Sequence, residues 1–186
     1  MGRGDTFVRR DRYTGKMNEE DAFGRFRMTE EYEKAFQTLK GKIGFVPLEK
    51  LMDLVRRYTN EDPTNPKKPF ARELRQAVIE QLGIESVEAM DRVKFYSAVG
   101  THADVFEGVD AWMEYIDEEV GPVVVTLDIT INPNKDEWKA DVIIPEVADE
   151  SDGEKLIEDA EKFGAMVVSK LQDKISYKEN RIRKAA

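Results

Sequence analysis

The sequence predicts an α/β (α+β) fold, a central mixed sheet flanked by helices with a helical N-terminal extension. Three observations carry this expectation. Residues 70–82 (FARELRQAVIEQL) set Phe70, Leu74, Ala77, Val78 and Leu82 along one stripe at helical spacing, with Gly83 as a stop. Segments 93–99, 107–116 and 122–131 are rich in β-branched and aromatic residues, and 139–145 (KADVIIP) is a fourth strand candidate. A closing helix over 154–171 has Leu156, Ile157, Ala160, Phe163, Val167 and Leu171 as its apolar face.

The elements before these are read in the same way. The first 20 or so residues are polar, with Gly2, Gly4 and Gly15, which predicts a loosely attached arm. Thr29 is an N-cap candidate with Glu30 and Glu31 in the first turn, and Tyr32, Phe36 and Leu39 follow at spacings of 4 and 3. Gly41 and Gly44 end that helix, and 47–55 reads as a second amphipathic helix with Pro47 in its first turn. Three prolines in 60–69 (NEDPTNPKKP) demand a loop. A short helix or turn is expected around 85–92. Segment 122–131 (PVVVTLDITI) is almost continuously apolar, as a central strand buried on both faces would be, and Asn132-Pro133-Asn134 breaks it. The organisation expected is a flexible basic arm (1–28), a helical extension (29–66), a core (67–175) and a basic tail (176–186).

Composition narrows the chemistry. With no Cys among 186 residues, a disulfide scaffold, a thiolate metal site and thiol catalysis are excluded, and the single His102 excludes a multi-His centre within one chain. No apolar run approaches the roughly 20 residues of a membrane span, and no signal-peptide core is visible. A soluble, intracellular, cytoplasmic protein with no membrane partner is therefore expected. Net charge is −9, yet the charges are segregated. Arg3, Arg9, Arg10, Arg12, Lys16, Arg25 and Arg27 crowd the start, and Lys178, Arg181, Arg183 and Lys184 crowd the end. Between them, 146–161 is strongly acidic. Such runs are ordinarily solvated surface; basic ends would also suit phosphate contacts.

Two acids stand where acids are unfavourable: Asp110 inside EGVDAWMEYI and Asp128 inside PVVVTLDITI. A buried carboxylate needs a cation, a hydrogen-bond donor or a metal. Strand parity puts Asp110, Trp112 and Glu114 on one face, and Thr126, Asp128 and Thr130 on one face, so adjacent strands would allow a shared site.

An acid-bearing helix, a strand, a strand with Gly108-Val109-Asp110, and a strand with Asp128-Ile129-Thr130 together resemble the PD-(D/E)XK nuclease superfamily over about residues 70–172. The resemblance implies a restriction-endonuclease-like fold and Mg²⁺- or Mn²⁺-dependent hydrolysis of DNA phosphodiesters. It implies Asp110 and Asp128 as metal ligands and Glu73 (or Glu80) as the supporting helix acid. The lysine expected two residues after the second acid is replaced by Thr130, and Lys135 in the loop NPNK is the nearest substitute, Lys139 a poorer one. His102 and Thr130 would border the substrate, Thr101 and Asp104 lie in the same loop (GTHADVFEG), and a homodimer of phage or mobile-element origin fits this class.

Structural readings compete at each position. Asp110 would pair with a buried cation or cap the chain, Asp128 would accept backbone amides, and Glu73 would be a helix-surface acid. His102 would be a turn residue with its tautomer set by Asp104, and Trp112 and Trp138 would be packing residues, Trp138 alternatively a base-stacking one. The corresponding rival function is a non-catalytic interaction or assembly protein that keeps the fold. A third is a module whose 146–161 acids mimic DNA or dock a basic partner.

Overall fold

The computed structural model describes residues 19–130 and 139–185. The chain opens with a short helical stretch over 19–23 (α1). It continues through α2 (Glu30–Ile43), α3 (Leu48–Tyr58), α4 (Pro69–Gln81), α5 (Val87–Met90), β1 (Val93–Ser97), α6 (His102–Glu107), β2 (Ala111–Asp117), β3 (Gly121–Ile129), β4 (Val142–Ile144) and α7 (Gly153–Ala185). The strands form one mixed sheet in the order β1-β2-β3-β4, antiparallel across the first three and parallel between β3 and β4.

The expected caps are in place. Thr29 Oγ1 accepts the Tyr32 amide at 3.2 Å, and Gly44 closes α2 with positive φ (70°), where a side chain would be strained. Pro69 sits in the first turn of α4, where its missing N–H costs nothing.

Side-chain alternation divides the core into two layers. Val93, Phe95, Met113, Val125, Leu127, Ile129 and Ile144 face α4 and α7 in one layer. Tyr96 and Trp112 point the other way, onto Tyr32, Phe36, Leu51, Met52 and Val55 of α2 and α3. α3 is strongly amphipathic, and its buried stripe covers the Trp112 side of the sheet. The helical extension is thus a layer of the same core. In the other layer α4 and α7 cross so closely at Gly164 that a Cβ built there would lie 2.9 Å from Ala77 Cβ.

Three expectations change. The arm was expected to reach residue 28, but Ala22 and Phe23 are buried in one layer and Phe26 in the other; residues 1–18 lie outside those described. The basic tail is no separate segment: α7 runs 33 residues, through 176–185, because nothing in ISYKENRIRK breaks a helix. Segment 102–107, read as loop, forms α6. No helix among the described residues is long and apolar enough to cross a membrane.

Candidate metal centre

The Gly-x-Asp sequence has a mechanical explanation. α6 starts at Thr101, whose hydroxyl accepts the Ala103 amide, and Asp104 in its first turn reaches back to accept the Gly100 N–H at 2.7 Å. Gly108 then ends the helix in the left-handed region (φ 62°, ψ 40°), a conformation that costs glycine nothing. The chain reverses there, and two residues later Asp110 meets β3.

Asp110 is bonded to both neighbouring strands. Its carbonyl accepts the Ala98 N–H at 2.7 Å, and its N–H donates to the Leu127 carbonyl at 3.0 Å. Its carboxylate Oδ2 accepts the Ile129 N–H at 2.7 Å, taking the place of a strand carbonyl where the β2–β3 ladder ends. The register that pairs Ala111 with Leu127 brings Asp110 beside Asp128 one step further on. Both acids are buried.

Two further carboxylates, Glu19 and Asp104, converge with Asp110, while Asp128 adds its charge from outside this set. One oxygen each from Glu19, Asp104 and Asp110 lie within 4.8 Å of one another. Burial, with the negative charges of Glu19, Asp128 and Asp104 added to it, pushes the Asp110 carboxyl up to about 9, against the stabilising pull of the Ile129 amide. At neutral pH Asp110 therefore holds a proton unless a cation neutralises the cluster. An all-oxygen donor set with surplus negative charge suits a hard divalent ion such as Mg²⁺ or Mn²⁺.

The structure places the other named residues as follows. Glu73 lies on α4, whose apolar stripe faces the opposite layer, and its carboxylate pairs with Arg72 at 3.3 Å; Glu80, on the same helix, accepts from Gln76. Neither helix glutamate is among the acids around Asp110, which are Glu19, Asp104 and Asp128. His102 is packed on α2. Its ring stacks on Phe36 with centroids 3.5 Å apart, its Nδ1 lies 3.4 Å from Tyr32 Oη, its Nε2 lies 3.7 Å from Glu33, and burial lowers its pKa. The Asp104 carboxylate bonds the Gly100 amide. Thr130, which donates its N–H to Ile144, continues the β3–β4 pairing. Lys139 Nζ is 3.3 Å from the Phe106 carbonyl and 3.7 Å from Glu107, on the helix that carries Asp104. Lys135 and Trp138 lie outside the described residues. Trp112 is a core residue, stacked on Tyr96 at 5.1 Å with the Arg56 guanidinium 5.7 Å from its ring.

Asp104, expected beside His102 and not in an acid cluster, had a signal for its place, the Thr-x-x-Asp spacing of a helix start at 101–104. Glu19 had none, because only tertiary folding carries it 91 positions along the chain to Asp110. No family model, curated protein or solved structure matches this chain.

Proposed function

We propose that this chain is a metal-dependent nuclease of the PD-(D/E)XK kind, with a restriction-endonuclease-like arrangement of its sheet, that hydrolyses DNA phosphodiester bonds. The observation that supports it best is the convergence of Asp110 with Asp104 and Glu19, with Asp128 beside Asp110 in register, at one end of β2 and β3. Asp110 and Asp128 would hold Mg²⁺ or Mn²⁺, with Asp104 and Glu19 completing the oxygen set. When bound, such an ion polarises a phosphate and lowers the pKa of a water. The chain's own residues supply placement: the Ile129 amide orients the Asp110 carboxylate, and the Gly100 amide orients that of Asp104. The positive charge absent at Thr130 is assigned to Lys135.

The test is cleavage of plasmid and single-stranded DNA with Mg²⁺ or Mn²⁺, beside Asp110→Ala, Asp128→Ala and Lys135→Ala. Metal-dependent cutting lost in all three, with circular dichroism unchanged, is the expected result. Thr130→Lys in the Lys135→Ala background should restore part of it. A second reading, a non-catalytic protein that keeps the fold, is favoured by one observation: the Asp110–Ile129 bond is a structural use of the same carboxylate. Absence of cutting with either metal, with Asp110→Ala destabilised, would select it.

A further inference from the structure

The last buried residue of α7 is Leu171, so the helix continues 14 residues past its buried stripe, about 21 Å at 1.5 Å per residue. This overhang forms one wall of a groove of about 760 Å³; α3 forms the other, and Pro122, Val123 and Val124 of β3 lie along its floor. Five cations line it, Lys50, Arg56, Lys174, Lys178 and Arg181, against three carboxylates, in a chain whose net charge is −9.

The five are not equivalent. Arg56 is held by Glu114 and Asp53, Lys50 by Asp53, and Lys174 by Asp141 at 2.6 Å. Among the described residues Lys178 Nζ donates to the Pro122 carbonyl, at 2.6 Å, which fixes its position, and has no carboxylate partner. Arg181 has no carboxylate partner among the described residues. Positions 174, 178 and 181, spaced by 4 and 3, share one face of α7. Between them Tyr177 is 65 % exposed. Cations without carboxylate partners among the described residues, set in a concave wall, concentrate positive potential there.

We propose that this groove takes the sugar–phosphate backbone of DNA, with Lys178 and Arg181 as the principal phosphate contacts and Lys50 on the facing wall. The identity of the polyanion rests on the nuclease reading; the location of its backbone does not follow from the acid cluster and is the new element.

The experiment is fluorescence anisotropy of the full chain with a labelled DNA duplex, in EDTA to prevent cutting, over about 50–200 mM salt. Lys178→Glu/Arg181→Glu and Lys50→Ala/Lys178→Ala/Arg181→Ala are compared with the wild type. Both α7 substitutions lie beyond its last buried residue, and circular dichroism verifies the helix. The expected result is a Kd raised at least tenfold at about 0.1 M salt and a log–log salt slope reduced by about 0.9 for each phosphate contact removed. Unchanged Kd and slope in both variants, or no binding of DNA by the wild type, overturns the groove. The two readings separate cleanly. Cutting by a wild type whose groove variants bind and cut equally well leaves the nuclease and removes the groove. Groove-dependent binding without cutting in Mg²⁺ or Mn²⁺ does the reverse.

Discussion

The Asp110 carboxylate accepts the Ile129 amide proton at 2.7 Å, so one side chain both extends the β2–β3 ladder and anchors the acid cluster. The bond sets which acids can converge. β2 and β3 are held together at the point where Asp110 and Asp128 face one another, and α6, ending at Gly108, swings Asp104 to the same place.

Asp110 makes stability fall as pH rises. Its folded-state pKa, about 9, lies above the unfolded value of 3.8, so the folded chain binds the extra proton. The contribution is complete below about 4 and is lost progressively toward about 9 in metal-free buffer. Asp110→Asn keeps an oxygen for the Ile129 amide and removes the charge. Urea unfolding in EDTA should show the variant about 1–3 kcal/mol more stable than wild type at alkaline pH, with a flatter pH profile. A variant less stable at every pH would show that the carboxylate is held by donors, not burdened by its neighbours.

Divalent cations should reverse that slope. A metal replaces the Asp110 proton, so binding releases a proton and tightens with pH. At about 100 times Kd, Mg²⁺ or Mn²⁺ should stabilise the chain by about 2.7 kcal/mol. Thermal melts should show the increment larger at pH 8 than at pH 5, reduced by Asp104→Asn or Glu19→Gln. Equal shifts in wild type and Asp110→Ala would place the ion elsewhere.

Gly164 governs the α4–α7 crossing. A Cβ there would lie 2.9 Å from Ala77 Cβ, attached to a helix backbone that cannot swing away. Gly164→Ala should therefore cost about 1–3 kcal/mol through forced separation, outweighing the gain in helix propensity of about 1 kcal/mol. Adding Ala77→Gly should recover much of the loss. A stabilised Gly164→Ala in denaturant titration would mean the helices part freely.

Arg56 ties α3 to the sheet. Its Nε and Nη2 bond Glu114 Oε2 at 2.8 and 2.6 Å, and the Glu114 side chain is only 9 % exposed. Arg56→Ala strands that carboxylate and should cost about 2–4 kcal/mol. Glu114→Gln on the same background should return part of this, measured as a double-mutant cycle. Additive losses would show that Arg56 acts by packing on Trp112, 5.7 Å from its ring, and not by charge.

Much of the architecture is legible in local sequence because local rules make it. Apolar spacing marks α2, α3 and α4, and the alternating and continuous β-branched runs mark all four strands. The anomalous acids Asp110 and Asp128 are conspicuous for a reason of free energy: a carboxylate in an apolar strand must be compensated. What compensates them was not legible. Parity along a strand says which residues share a face, and register, a property of two strands, sets Asp110 beside Asp128. Glu73 was plausible by helix position alone, but the stripe of Phe70, Leu74 and Val78 turns α4 toward the other layer. Glu19 arrives because Phe23 and Phe26 are buried in the two layers of the core and carry the preceding residues past the sheet. Local sequence accounts for most of the elements and for the two acids that need an explanation, though not for α6 or the full length of α7. Which carboxylates surround them was decided by the tertiary structure, since burial and proximity belong to the packed chain and not to any window of it.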